Sequence, residues 1–140
     1  MFEDTVTVFN VIKEKDKVTY HRQFVNNVFY HKEKIISQEG KGDKYTNAYD
    51  VIFSNIALEK WKSKQDFDNS DDTYTLREND IIVLNEYKEI SDLKELQQSS
   101  VDWFMIKTVS ENLYGDLVLH NIEVTNWKLK LILFYLILVN

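Results

Sequence analysis

Apolar and polar residues alternate along most of the chain with a period of two, which is typical of β-strands that are buried on one face. The first alternating stretch covers residues 5–12, and a second follows the polar turn at 13–17. The second stretch is interrupted by "VNN" at 25–27, which predicts a strand break or a β-bulge. Further strand-like stretches occupy 48–56, 81–87, 101–110 and 117–126. The pattern therefore predicts six or seven strands.

One short helix is indicated at residues 91–99, with the sequence "SDLKELQQS". Ser91 stands at the predicted N-cap, and Asp92 and Glu95 fall in the first turn, where the helix dipole favours carboxylates. Because strand signals recur without long helices between them, we expect a mainly β fold. A small β-barrel or sandwich with one short α-helix is the favoured architecture.

The 140 residues predict one β-rich domain at 1–126, followed by an apolar C-terminal extension at 127–140. The segment "LKLILFYLILVN" at 129–140 contains a single charged residue, Lys130. It is shorter than the about 20 apolar residues that a membrane-spanning helix needs, and it lacks the polar face of a surface helix.

Three interpretations of this extension remain: a terminal strand buried in the core or paired with a neighbouring subunit, an extension from an altered reading frame, and a weak membrane element. An ordered strand or short helix at a surface between subunits is favoured, since a large exposed apolar patch promotes association. It predicts a homo-oligomer and no membrane partner. The side chains predicted for the subunit interface are Leu131, Leu133, Phe134, Tyr135 and Leu136.

Composition excludes several classes of function. The chain has no cysteine, which excludes disulfides, thiolate metal sites and a cysteine nucleophile. Its net charge of −6 argues against a general nucleic-acid coat, although it is compatible with a local basic loop. The first ten residues lack the basic and continuous apolar regions of a signal peptide, so we expect the protein to begin in a cytoplasm.

No segment carries a recognisable catalytic arrangement. The three histidines form no HxH or HxxxH pair, and no nucleophile with a paired base can be named. We therefore expect no enzyme activity, no catalytic or metal-binding residues and no cofactor. The acidic stretch at 66–72 places oxygen ligands at alternating positions, at Asp66, Asp68, Ser70 and Asp72, a spacing that suits Ca²⁺. An EF-hand would need glycine at Asp71 and glutamate at Arg77, so a solvated acidic loop is favoured over a calcium site.

The segment "ISQEGKGDKYTN" at 36–47 holds two of the three glycines and predicts a flexible loop. Its central residues are Gly40, Lys41, Gly42, Asp43 and Lys44. The order of glycine and lysine does not match a phosphate-binding P-loop. Lys41 and Lys44 can still contact DNA phosphates, and a mobile solvent loop without that role is the other interpretation.

The order of four segments gives the chain a resemblance to a known family. They are "MFEDTVTVFN", "VNNVFYHKEK", "RENDIIVLNEYKEISDLKELQQ" and "FMIKTVSENLYGDLVLHNIEV". Over residues 1 to about 125 this order resembles small proteins encoded in the head-to-tail module of tailed phages of Gram-positive bacteria. That family usually has glycine where Asn85 stands, and its middle region is matched at 57–75 only by Trp61.

The resemblance implies a structural virion protein of the phage neck. Such head-completion or stopper proteins are small β-barrels that form a homo-oligomeric ring, join the portal and adaptor to the tail, and retain packaged DNA. The protein would then be located in the virion neck, and in the host cytoplasm during assembly. The loop at 40–44 would face the DNA channel of the ring. The alternatives are a tail terminator or tail-completion protein, and a non-viral calcium- or ligand-binding β-domain.

Overall fold

The computed structural model describes residues 2–38 and 43–127, and the seven strands in this part form one antiparallel sheet. The strands are β1 (Asp4–Glu14), β2 (Lys17–Gln38), β3 (Asp43–Phe53), β4 (Ile81–Leu84), β5 (Trp103–Met105), β6 (Thr108–Asn112) and β7 (Asn121–Thr125). The order across the sheet is β5-β4-β1-β2-β3-β7-β6. One helix, α1, spans Lys94–Gln97, and 3-10 turns span Ala57–Lys60 and Leu117–Leu119. The prediction of a mainly β fold with one short helix is confirmed.

The sheet is strongly curved but is not closed into a barrel, because its two edge strands, β5 and β6, do not pair with each other within residues 2–38 and 43–127. Only Ile106 and Lys107 separate these two strands along the chain. A link of this length spans about 10 Å at most, so the two edges must lie close together. The Ile106 N–H donates to the Asp80 carbonyl (2.8 Å), and the Lys107 N–H donates to the Thr125 carbonyl (2.7 Å). The architecture is therefore a curved open sheet in place of a closed barrel or a two-sheet sandwich.

Side chains alternate along the strands into two cores on opposite faces of the sheet. On β1, Val6 and Val8 enter the larger core, which the curved sheet encloses, whereas Phe9 enters a smaller core on the outer face. The segment before α1 and the helix itself cover the smaller core with Ile90 and Leu96. The larger core contains Val25, Val28, Tyr49, Val51, Phe53, Ala57, Tyr74, Leu76, Ile82, Phe104, Ile106, Ile122 and Val124.

Strand β2 shifts its register against β1 at a bulge. Val25 pairs with Val6 and Val28 pairs with Asp4, so two residues of β2 lie opposite one residue of β1. Asn27, inside the bulge, has φ 63, a left-handed conformation that asparagine tolerates better than most residues. In a regular strand, residues 25 and 28 would point to opposite faces. The extra residue of the bulge brings Val25 and Val28 to the same face, toward the larger core. The bulge predicted from "VNN" is confirmed.

Helix α1 is shorter than the predicted segment 91–99, and its N-cap residue is Leu93, which makes no side-chain capping bond. Ser91 is therefore not the N-cap. Instead, the Glu95 carboxylate accepts the N–H groups of Ser91 (2.7 Å) and Asp92 (3.1 Å). These bonds lower the pKa of Glu95. The Ser91 hydroxyl donates to the same carboxylate, so the turn is organised by an acid reaching back from the helix.

Before the first residue of β4, side chains take over the hydrogen bonding to β1 that the strand itself does not provide. The Asp80 carboxylate accepts the Val11 N–H (2.9 Å), the Asn10 side-chain amide (2.8 Å) and the Arg77 Nε–H (3.0 Å). Arg77 Nη2 donates to the Val11 carbonyl at 3.1 Å. The Asn10 side chain also pairs with the backbone of Thr75, donating to its carbonyl and accepting its N–H. We call Asn10, Thr75, Arg77 and Asp80 the polar network; Asn10 and Thr75 are 0% exposed and Asp80 is 2% exposed.

We expect Asp80→Ala to lower the free energy of unfolding by about 3 kcal/mol, because the Val11 N–H and one N–H of the buried Asn10 amide lose their acceptor and Arg77 loses its counter-ion. Urea denaturation followed by tryptophan fluorescence measures this. Glu86→Ala, at an exposed position, is the control and should change stability by less than about 0.5 kcal/mol. A loss below about 1 kcal/mol in Asp80→Ala would contradict a structural role for the network.

Asn85 adopts φ 67, a left-handed conformation that glycine and asparagine tolerate better than other residues. Its N–H donates to the Thr5 carbonyl (2.8 Å), and its carbonyl accepts the Thr7 hydroxyl (2.7 Å). We expect Asn85→Gly to change the free energy of unfolding by less than about 0.5 kcal/mol, and Asn85→Val to lower it by about 1–2 kcal/mol. The same denaturation assay compares the two variants, and equal effects of Gly and Val would show that the conformation at this residue is unimportant.

Candidate functional site

The β2–β3 hairpin extends past both of its neighbours in the sheet. Pairing of β2 with β1 ends at Val28, and pairing of β3 with β7 ends at Asp50. Seven further residue pairs continue beyond Asp50, from Lys32↔Tyr49 to Gln38↔Asp43. We call residues 32–38 and 43–49 the arm. At about 3.3 Å per residue, its seven pairs extend roughly 23 Å.

Beyond its base, where Ala48 and Tyr49 are buried, the arm is bare on both faces at the positions whose burial is described. Residues 32–35 are all exposed, and so are Thr46 and Asn47 on the opposite strand. Successive side chains of a strand point to opposite faces, so exposure of consecutive residues means that neither face packs against the domain. Beyond its base, neither backbone edge of the arm has a strand partner in the part of the chain that the structure describes. Such an element is available to contact another molecule.

The base of the arm is fixed to the domain. The Lys32 ammonium donates to the Asp102 carboxylate at 2.8 Å and lies 6.0 Å from the ring centroid of Tyr49. The hydrogen bond to Asp102 raises the pKa of Lys32. Tyr49 stacks on Phe104 of β5, with ring centroids 5.3 Å apart, and its N–H donates to the Asn126 side chain at 2.9 Å. The arm therefore leaves the domain in a defined direction.

The loop predicted at 36–47 is mostly strand. Strand β2 continues to Gln38 and β3 begins at Asp43, so of the predicted channel residues Asp43 and Lys44 lie in β3. The other three, Gly40, Lys41 and Gly42, lie outside the described residues, between the paired ends of the two strands. The predicted loop at 36–47 was too long. Residues 36–38 and 43–47 form strand because they pair across the hairpin, although the local glycines and charges favour a loop.

The connection between β6 and β7 carries the most exposed apolar side chains of the described chain. Tyr114 is 87% exposed, Leu117 67%, Val118 70% and Leu119 70%. We call residues 114–119 the apolar loop. The Asp116 carboxylate accepts the Val118 N–H at 3.1 Å and caps a 3-10 turn, so the strand predicted over 117–126 begins only at Asn121. The hairpin with a longer loop, predicted for this region, is confirmed.

A cavity of about 720 Å³ lies beside the apolar loop. Its apolar wall is formed by Trp61, Leu76, Val109 and Leu113, and Leu113 leads directly into the loop. The polar residues that line it are Ser63, Lys64, Gln65, Arg77, Glu78 and Glu111. The volume lies within the range of ordinary ligand pockets, about 300–1,000 Å³. No sequence pattern indicates this cavity, because its walls come from segments 61–65, 76–78 and 109–113, which only the folded sheet brings together.

The acidic stretch 66–72 forms local turns. The Asp66 carboxylate accepts the Ser63 hydroxyl (3.0 Å), and the Asp68 carboxylate accepts the Ser70 N–H (3.1 Å) and hydroxyl. The bond from the Ser70 hydroxyl is the main cause that lowers the pKa of Asp68. In residues 2–38 and 43–127, no group of three or more His, Cys, Asp or Glu side chains is arranged to hold a metal ion.

The predicted interface residues Leu131, Leu133, Phe134, Tyr135 and Leu136 lie outside the described residues. Among the segments whose structure is described, no helix is long and apolar enough to cross a membrane.

Two carboxylates with raised pKa values lie on the outer face of the sheet. Asp50 of β3 pairs with His31 of β2, and Asp50 Oδ1 is buried without a hydrogen-bond partner among the described residues. Burial raises the pKa of Asp50, against the opposing effect of His31. Burial and then the charge of Asp50 raise the pKa of Glu123 on β7. No group of three or more His, Cys, Asp or Glu side chains in the described residues is arranged to hold a metal ion, so we interpret this pair as a source of pH-dependent stability.

Because the folded protein binds these protons more tightly than the unfolded chain, this contribution to stability is greatest below the unfolded carboxyl pKa of about 4 and declines as pH rises through the raised folded values. We expect Asp50→Asn to raise the free energy of unfolding at pH 7 by up to about 1 kcal/mol and to leave it nearly unchanged at pH 3.5. Urea denaturation at both pH values measures the difference. Asp16→Asn, in the exposed β1–β2 turn, is the control, and an equal gain there would refute the assignment to Asp50.

No curated protein and no solved structure matches the chain significantly. One family model does match, over residues 1–126, which is most of the 140-residue chain. The chain belongs to DUF6751, a family of unknown function.

Proposed function

We propose that this protein is a structural component of the neck of a tailed phage, where a homo-oligomeric ring of it joins the portal and adaptor to the tail and retains packaged DNA. The proposal starts from the resemblance of residues 1 to about 125 to neck proteins. The observation that carries it further is the arm, which extends about 23 Å beyond its neighbours and is anchored only at its base.

An arm of this kind suits contact with DNA in a ring. If each subunit points its arm at the ring axis, the far ends of the arms surround the channel. From residue 32 to residue 49 the chain has four lysines and three acidic residues, a net charge of +1, whereas the whole chain carries −6. Residues 32–49 thus carry a slight positive charge within an otherwise acidic protein, which favours contact with phosphates.

The proposed role is structural and needs neither catalysis nor a cofactor. Portal, adaptor and tail proteins are the proposed partners, and the virion neck is the proposed location, after assembly in the host cytoplasm. A tail terminator or tail-completion protein is the nearest alternative, since it also forms a ring but caps the tail tube. The position of the ring distinguishes the two roles.

The test is to shorten the arm without changing its register. Deleting Ser37, Gln38, Asp43 and Lys44 removes two residue pairs, shortens the arm by about 7 Å and leaves every remaining side chain on its original face. We expect heads assembled with this variant to package DNA and then lose it, measured as the fraction of nuclease-protected full-length genome.

A matched control shortens the β1–β2 hairpin in the same way. Deleting Lys13, Glu14, Lys17 and Val18 also removes two pairs and keeps the turn at Lys15 and Asp16. Heads with this variant should retain DNA as the natural protein does. Full retention with the shortened arm would overturn the channel role, and an N-terminal tag that labels no virion in electron micrographs would overturn the neck assignment. Label at the end of isolated tails would identify a terminator.

A further inference from the structure

We infer that the apolar loop of one copy seats in the cavity of a second copy, and that this contact joins neighbouring subunits of the ring. The inference rests on the proposed function only for the ring; the contact itself follows from two surfaces of the described chain. One is an apolar projection at residues 114–119, and the other is the cavity between segments 61–65 and 76–78 and strand β6.

The large side chains of the apolar loop are as exposed as expected for a surface that another molecule covers. Its four large side chains are 67–87% exposed, whereas the other large hydrophobics exposed in the described chain are 37–60% exposed and are scattered. Isolated exposed apolar residues are ordinary, but a contiguous group marks a contact with another molecule. The 3-10 turn capped by Asp116 gives the projection a local structure before any partner binds.

The cavity has the chemistry to receive this loop. Trp61, Leu76, Val109 and Leu113 supply an apolar wall, and about 720 Å³ is ample for several aliphatic side chains. The loop does not fill the cavity of its own subunit, because its side chains remain exposed although Leu113, the residue before it, lines the wall. The apolar loop of a second copy can therefore pack its exposed aliphatic side chains against the apolar wall of the cavity.

The cavity offers one cation to the single charge of the loop. Asp116 is the only acidic or basic residue of the apolar loop. Of the charged residues that line the cavity, Lys64, Glu78 and Glu111 have no salt bridge among the described residues, whereas Arg77 is bound to Asp80 at 3.0 Å, so Lys64 is the cation left to pair with Asp116. A loop entering the cavity can place the Asp116 carboxylate near the Lys64 ammonium, with its aliphatic side chains against the wall. Because loop and cavity are different surfaces, each copy can give one loop and receive one, which is the contact that repeats around a ring.

The absence of cysteine in the chain allows a direct test by disulfide trapping. Two full-length variants are made, Val118→Cys in the loop and Gln65→Cys at the cavity, and are mixed in equal amounts under mild oxidation. We expect a covalent dimer containing one copy of each, at several times the yield of either homodimer, with the 118–65 bond identified by mass spectrometry. The control pairs Val118→Cys with Lys88→Cys, which is exposed near the smaller core, and should give only the collisional background. Equal yields in the two mixtures would overturn the inference.

A second measurement uses the unmodified oligomer. Leu117→Asp places a charge in the apolar contact at a position that is 67% exposed, so the fold should survive, as circular dichroism can verify. We expect at least a tenfold weaker self-association by sedimentation velocity. Val18→Asp, at an apolar position that is 45% exposed in the β1–β2 hairpin, should leave association unchanged. Association that is insensitive to Leu117→Asp would contradict the inference. A specific disulfide with no label on virions would uphold the contact and reject the phage role, so the two can fail separately.

Discussion

The whole structure depends on the two-residue link between β5 and β6. Ile106 and Lys107 carry the chain from one edge of the sheet to the other, so the sheet can form only if it bends. The polar network fixes one side of this link, because Asp80 binds β1 through its carboxylate and Ile106 through its carbonyl. One buried acid thereby holds strand β1 and the link between the two edge strands together. The enclosed core, the cavity and the position of the apolar loop all follow from that bend.

Features set by neighbouring residues could be predicted from the sequence, and features set by distant residues could not. The strands over 5–12 and 48–53 and the bulge at 25–27 depend on local alternation and on asparagine tolerating φ > 0, so they were predictable. The continuation of strand through 36–38 and from Asp43 depends on pairing across the hairpin, which outweighs the local glycines. The stretch "LVL" at 117–119 was predicted as the start of a strand, but Asp116 caps it into a 3-10 turn. The cavity needs three segments that are far apart in the sequence.

The two candidate contact surfaces differ in physical character. The arm is polar, regular and open along both edges, so it suits contacts that depend on reach and on backbone or charge interactions. The apolar loop is short and curled, and suits a contact driven by removal of hydrocarbon from water. The proposed ring would use the arm at its inner wall and the apolar loop at the seams between subunits. Placing them on separate hairpins lets either change without disturbing the other.

Strand β2 pairs with different strands along its two halves, and this has a mechanical consequence. This strand runs without interruption from Lys17 to Gln38, pairing with β1 over its first half and with β3 over its second. A load applied along the arm is transmitted through β2 and is resisted by sliding of the β1–β2 ladder, in which many hydrogen bonds are strained at once. A load that peels the arm sideways would meet them one pair at a time. The hairpin is thus stiff against thrust along its own axis and compliant across it.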